Sequence, residues 1–154
     1  MAIPVPFSGG CACGAIRYEC TAEPRAMRSC HCRDCQRATG SPYAALLSVP
    51  VAAFHLKQGE PQYFTVEAES GNPISRGFCP TCGSPILSKA SVHPEIITVR
   101  AASLDDPSWF RSEIDVWISR AQPWDYMNPA TQKSETHPTP EQLQEMLKAK
   151  RGFQ

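Results

Sequence analysis

"CACGAIRYEC", Cys11 to Cys20, joins two cysteines in a C-x-C-G arrangement to a run in which Ile16, Tyr18 and Cys20 alternate with Arg17 and Glu19. Alternation with a period of two is the pattern of a half-buried β-strand. Thiols this close in sequence are poorly placed to bridge each other and well placed to share one ion. The glycine that follows can take the positive φ that turns backbone N–H groups toward a metal-bound sulfur. The stretch therefore reads as a metal knuckle feeding a strand.

The rest of the chain supplies matching parts. "CPTCG" (Cys79 to Gly83) is a second knuckle that also ends in glycine, so Cys11, Cys13, Cys79 and Cys82 offer four thiolates. Four is the number that closes a tetrahedral structural zinc site. Cys13 and Cys79 lie 66 residues apart, so one ion would clamp the first strands to the middle of the chain. "YAALLSV", "PQYFTVEA", "SPILSKA", "EIITVRAAS" and "EIDVWIS" are further short apolar or alternating runs bounded by Gly, Pro, Asn or Asp. They predict a mainly β, antiparallel fold. The 15 prolines bound these runs and leave their centres intact.

Helix is scarce. "CRDCQRATG" predicts two turns from Cys32 to Thr39, stopped at Gly40. "TPEQLQEMLKAKRG" predicts a C-terminal helix with Thr139 as cap, Pro140 in the first turn and Gln142 completing a capping box. Leu143, Met146 and Leu147 share one face of it, and Lys148, Lys150 and Arg151 sit at its negative end before Gly152. The expected organisation is one zinc-binding domain over 1–127, followed over 128–154 by a loose tether (Asn128 to Pro140) and a helix packed on the domain or on a second subunit.

Between these lies "SCHCRDCQ" (Ser29 to Gln36), with Cys30, Cys32 and Cys35 on one short loop. Three protein ligands with one open position is how catalytic zinc is commonly held. The alternatives are a site closed by His31, Asp34 or Cys20, or a metal-free triplet with two sulfurs oxidised. His31 is badly placed as a ligand, because the residue between two liganding positions in an extended C-x-C points the other way. Cys20 falls on the apolar face of its strand and reads as a core thiol. Arg33 and Arg37, one helical turn apart beside the triplet, are candidates to anchor a cofactor or substrate carboxylate, or a solvated pair offsetting thiolate charge.

Composition narrows the class. The chain has 154 residues with 42% hydrophobic and 19% charged, enough for one ordinary core. Its start, "MAIPVPFSGG", has no basic segment followed by an apolar one, and no run approaches the roughly 18 apolar residues of a membrane span. A cytoplasmic protein is expected, and there eight cysteines point to metal more than to disulfides. Fifteen basic and fifteen acidic residues, with no basic stripe, exclude nucleic acid as the expected partner. Trp109, Trp117 and Trp124 are expected to be core and rim packing. "HPE" (His93 to Glu95) has the wrong order relative to C-x-x-C for a zinc deaminase.

"GGCACGAIRY" (Gly9 to Tyr18), "CHCRDCQRATGS" (Cys30 to Ser41) and "RGFCPTCGSPI" (Arg76 to Ile86) resemble, in order and spacing, the three signatures of the glutathione-dependent formaldehyde-activating enzyme family, also called the centromere protein V family. The resemblance runs from about Gly9 to Trp124. It implies an Mss4-like fold stapled by zinc, with one structural ion on Cys11, Cys13, Cys79 and Cys82 and a second, catalytic or exchangeable, on Cys30, Cys32 and Cys35. It also implies carbon–sulfur lyase chemistry on a thiol–aldehyde adduct of the S-(hydroxymethyl)glutathione type, with glutathione as a co-substrate. The expected partners are then a small thiol and an aldehyde or their adduct, with neither membrane nor nucleic acid, and a homo-oligomer is an open option. His31 and Asp34 are the nearest candidates for a general base. The competing class is a non-catalytic, zinc-stabilised binding module in which both metals are structural.

Overall fold

A computed structural model describes residues 2–151, without the side chains of Leu147 and of positions 149–151. In chain order the strands are β1 (Phe7–Gly10), β2 (Arg17–Cys20), β3 (Ala26–Cys30), β4 (Ala44–Pro50), β5 (Phe54–Gln58), β6 (Gln62–Glu67), β7 (Pro73–Phe78), β8 (Pro85–Ala90), β9 (Ile96–Arg100), β10 (Ile114–Val116) and β11 (Gln132–Ser134). Helix α1 (Arg33–Thr39) lies between β3 and β4, and α2 (Pro140–Arg151) ends the described chain. Among the described residues, no helix is long and apolar enough to cross a membrane. The chain divides into two compact units, one formed by 1–27 and 45–111, the other by 28–44 and 112–154.

The first unit is antiparallel throughout. β1, β2 and β5 form a three-stranded sheet, with Phe7 opposite Cys20 and Cys20 opposite Phe54. β4, β9, β8, β7 and β6 pair in that spatial order, with Leu47 opposite Val99 and Val99 opposite Leu87. Because side chains alternate across a strand, Leu47, Val49, Leu87, Ile97 and Val99 share one face, and all are buried. Phe7, Ile16, Tyr18, Cys20, Leu104 and Trp109 belong to the same core. The Trp109 ring packs on Phe7 with centroids 5.1 Å apart. At fully buried Cys20, burial pushes the thiol up to about 12, as expected of a core sulfur.

The second unit departs from the antiparallel expectation. β10 runs parallel to both of its partners, with Asp115 opposite Ser29 of β3 and opposite Lys133 of β11. A strand paired on both edges and covered on both faces is typical of parallel arrangements, and all three β10 residues are buried. β11 forms inside the stretch expected to be a loose tether. The run "EIDVWIS" stops being a strand at Trp117, which has a left-handed φ of 60° and leads into a 3-10 turn over Ile118–Arg120.

Both helices end where the side chains dictate. In α1 the Cys32 sulfur caps the N-terminus by accepting from the Cys35 N–H at 3.3 Å, and Gly40 closes the C-terminus with φ 68°. In α2 the Thr139 hydroxyl accepts from the Gln142 N–H at 3.2 Å, while the Gln142 side chain accepts from the Thr139 N–H at 2.9 Å. That reciprocal pair is the capping box read from the sequence. Gln132 donates to the Met146 carbonyl at 3.0 Å, tying β11 to α2. The expected basic terminus of α2 at Lys150, Arg151 and Gly152 lies outside the described side chains.

Candidate metal centres

Two hairpin loops build the first centre. Cys11 follows β1 and Cys79 follows β7, and each closes its loop by donating its N–H to a carbonyl five residues on, Ile16 at 3.1 Å and Ser84 at 2.9 Å. Gly14 and Gly83 adopt φ of 79° and 76°, and each returns its N–H to the carbonyl of the loop's first cysteine. The β7–β8 register slips between Gly77 and Phe78, immediately before Cys79, an irregularity of the kind that bends a strand. The four sulfurs of Cys11, Cys13, Cys79 and Cys82 lie within 4.8 Å of one another.

These thiols do not share charge evenly. Cys82 is pulled down to about 5, first by a hydrogen bond from the Ser84 hydroxyl 3.1 Å away and then by backbone hydrogen bonds at Ser84 and Cys13. Ser84 is free to donate because its oxygen already accepts from the Ala12 N–H at 3.1 Å, a contact that ties one loop to the other. At Cys11, burial favours the neutral thiol, yet the Ile16 N–H on its sulfur at 3.2 Å and the Cys13 and Cys79 thiols lower its pKa. At Cys13 the Ala15 backbone favours the thiolate, but Cys11, burial and the other two thiols outweigh it and push the group up to about 11. A bound dication stabilises all four thiolates together, so this donor set fits a tetrahedral zinc.

The second centre is built where β3 runs into α1. Cys30 ends the strand, Cys32 caps the helix and Cys35 lies one turn along it, and their three sulfurs also lie within 4.8 Å of one another. Each residue is only 7% exposed. The Cys30 thiol is held well above its ordinary range, first by Cys32, then by Cys35 and by burial. At Cys32 the Cys30 contact favours the thiolate, and Cys35 and burial override it, raising the group to about 11. Among the described residues, no His, Asp, Glu or further Cys joins this group of ligand atoms. The donors fit a soft dication with protein ligands on three sides.

His31 points away from the sulfurs, as an extended C-x-C requires, and is 1% exposed. Its Nε2 faces Asp115 Oδ1 at 3.4 Å and its Nδ1 faces Asp125 Oδ2 at 3.2 Å. Arg33, half-buried, donates to Gln36 Oε1, and Arg37 is exposed on the last turn of α1. Trp117 is half-buried, while Trp124, expected as packing, is 71% exposed. Sequence reasoning missed Ser84, Asp115, Gln36 and Asp125. The only signal for Asp115 was an acidic residue inside the otherwise apolar "IDVW", and Ser84 stood out only as the hydroxyl after the second loop's glycine.

The chain aligns with a solved Rhodobacter sphaeroides structure at 23% identity and a TM-score of 0.51, over 64% of this chain and 88% of that one. That likeness concerns the fold. The family model for glutathione-dependent formaldehyde-activating enzyme matches residues 6–120. The matched span contains all seven cysteines of the two centres. This chain belongs to the glutathione-dependent formaldehyde-activating enzyme family.

Proposed function

We propose that the chain is a zinc-dependent carbon–sulfur lyase that forms or splits a thiol–aldehyde adduct of the S-(hydroxymethyl)glutathione type. Cys11, Cys13, Cys79 and Cys82 hold a structural zinc, and Cys30, Cys32 and Cys35 hold the reactive one within an Mss4-like fold. The observation that carries this reading is the triplet itself: three buried thiols converge, and the nearby histidine is turned onto two carboxylates instead of completing the set. When bound, a three-thiolate zinc supplies a position at which a substrate thiol is held as thiolate.

The protein's own groups do the rest. The three cysteines leave one side of the site to the substrate sulfur and, by burial, keep water from competing for it. Arg33 and Arg37 stand one helical turn apart next to the triplet and suit a substrate carboxylate. Splitting the adduct breaks the carbon–sulfur bond as the hydroxyl proton passes to solvent and the carbonyl forms; the electron pair stays on sulfur, and formation is the reverse.

Cobalt in place of zinc makes the test visible. A small thiol such as glutathione should change the sulfur-to-cobalt absorption, and Cys35→Ser should abolish the response in a chain that still folds. The same preparation should catalyse adduct formation or breakdown faster than Cys35→Ser. A cobalt spectrum indifferent to every thiol, with the triplet already four-coordinate through a protein side chain, would replace the lyase by a zinc-stabilised binding module.

A further inference from the structure

The extended backbone at 30–32 places Cys30 and Cys32 on one side of the chain and His31 on the other. Whatever fixes the His31 ring therefore fixes the direction of both sulfurs. Both backbone polar groups of His31 are hydrogen-bonded within its unit. The N–H donates to the Val116 carbonyl at 3.0 Å, extending the β3–β10 pairing by one residue. The carbonyl accepts from Gln36 Nε2 at 2.6 Å, and the same amide donates to the Arg120 carbonyl at 3.0 Å. Gln122 in turn donates to Gln36 Oε1 at 3.2 Å.

A buried carboxylate faces each edge of the ring. Asp115 comes from the centre of β10 and Asp125 from the segment after the 3-10 turn; their side chains are 7% and 8% exposed. Lys133 Nζ reaches Asp115 Oδ2 at 2.8 Å, with the Asn128 and Thr131 carbonyls at 2.6 Å around the same ammonium. The Tyr43 ring packs against the imidazole at 5.4 Å between centroids. Two buried carboxylates cost solvation, and a core needing only packing would fill this space with apolar groups at lower cost. Directional contacts are instead spent on one ring whose chain neighbours on both sides are metal-spaced thiols. Productive metal constellations tolerate displacements on the order of 0.5 Å, which packing alone rarely enforces on a loop.

We propose that Asp125 and Asp115, acting through His31, are positioning residues that aim Cys30 and Cys32 and hold the triplet in a preformed three-sulfur geometry. The inference rests on the reading of the triplet as a metal site. It assigns no proton transfer to His31.

The test uses the full chain loaded with cobalt at both centres. In Asp125→Ala the triplet's absorption bands should shift, and a chelator should remove the triplet metal about 10- to 100-fold faster than in the wild type. The four-thiolate cobalt should leave at the wild-type rate. Asp125→Asn keeps an acceptor oxygen opposite Nδ1 and should recover most of the retention. His31→Gln keeps the backbone bonds at position 31 but can reach only one carboxylate, so it reads the same effect if the alanine variant fails to fold. Unchanged triplet bands and release in whichever of the two variants folds would overturn the proposal. So would equal loosening of both centres, which would mark a general weakening of the fold. A wild type that takes up a single cobalt would remove the triplet reading itself, and that outcome is visible before any variant is made.

Discussion

Cys82→Ser changes one atom at an exposed position, where substitutions away from special features shift the melting temperature by only about 1–2 °C in a chain of this size. The four-thiolate reading predicts something different. Structural zinc supplies on the order of 10 kcal/mol of folding free energy in small zinc domains. Loss of a third of that, at about 2–4 °C per kcal/mol, lowers Tm by roughly 7–13 °C. Cys20→Ser is the matching control, because Cys20 is fully buried but belongs to neither sulfur group. It buries a hydroxyl in an apolar core at a cost of about 1–3 kcal/mol, a fall of roughly 2–12 °C with metal content unchanged. Cys79→Ser combines both effects, since Cys79 is both 0% exposed and a member of the four. The assay is thermal melting alongside zinc per chain on reduced protein. Normal melting and full zinc in Cys82→Ser would refute the four-thiolate site, whatever the buried controls do.

Zinc content should fall between one and two ions per chain, with a mild chelator taking the triplet metal first; simultaneous loss of both, or iron in their place, would count against two unlike sites. Gly59 has φ 68° and a Cβ there would stand 2.2 Å from the Ala15 carbonyl oxygen, so Gly59→Ala should cost about 1–3 kcal/mol or more. Gly71→Ala, at φ 79° with nothing within 4 Å, should cost measurably less by denaturant unfolding. Asp105 is held below the usual carboxylate range by the Arg17 guanidinium first and the Ser8 hydroxyl second. Its folded value lies below its unfolded one, so its contribution is present above about pH 4 and fades as the pH falls through the folded value. Asp105→Asn should flatten that acid limb of stability, by no more than about 1 kcal/mol because the pair is solvent-screened, and an unchanged limb would argue against the contact.

Local signals in the sequence were strong where one residue decides one feature. C-x-C-G and C-P-x-C-G announced two loops with left-handed glycines, Thr139 and Gln142 announced a capping box, and Gly40 announced the end of α1. Cys20 could be placed in the core by alternation alone. Features that depend on which strands become neighbours stayed hidden. The parallel pairing of β10 joins residues 28–30 and 132–134 to 114–116, and no periodicity in a three-residue strand reports its direction. β1, β3, β5, β7 and β11 were likewise unforeseen, several because serine, glycine or charged residues dilute their alternation. Asp115 and Asp125 become meaningful only once His31 is known to lie between them. That is a tertiary fact, and the same holds for the exposure of Trp124.

The division of the two units along the chain orders their appearance during synthesis. All four sulfurs of the first centre exist once Cys82 has been made, and the unit around them is complete at residue 111. The triplet thiols are made earlier still, yet Asp115, Arg120, Asp125 and Lys133, which support their loop, come last. At about 5–20 residues per second, the interval between Cys35 and Lys133 is roughly 5–20 s. Through that time the triplet is three reactive thiols on an unsupported loop, open to oxidants and to whichever thiophilic ion arrives first. Reductant and thiophilic metal supplied during synthesis would therefore act on the triplet before the side chains that support it have been made.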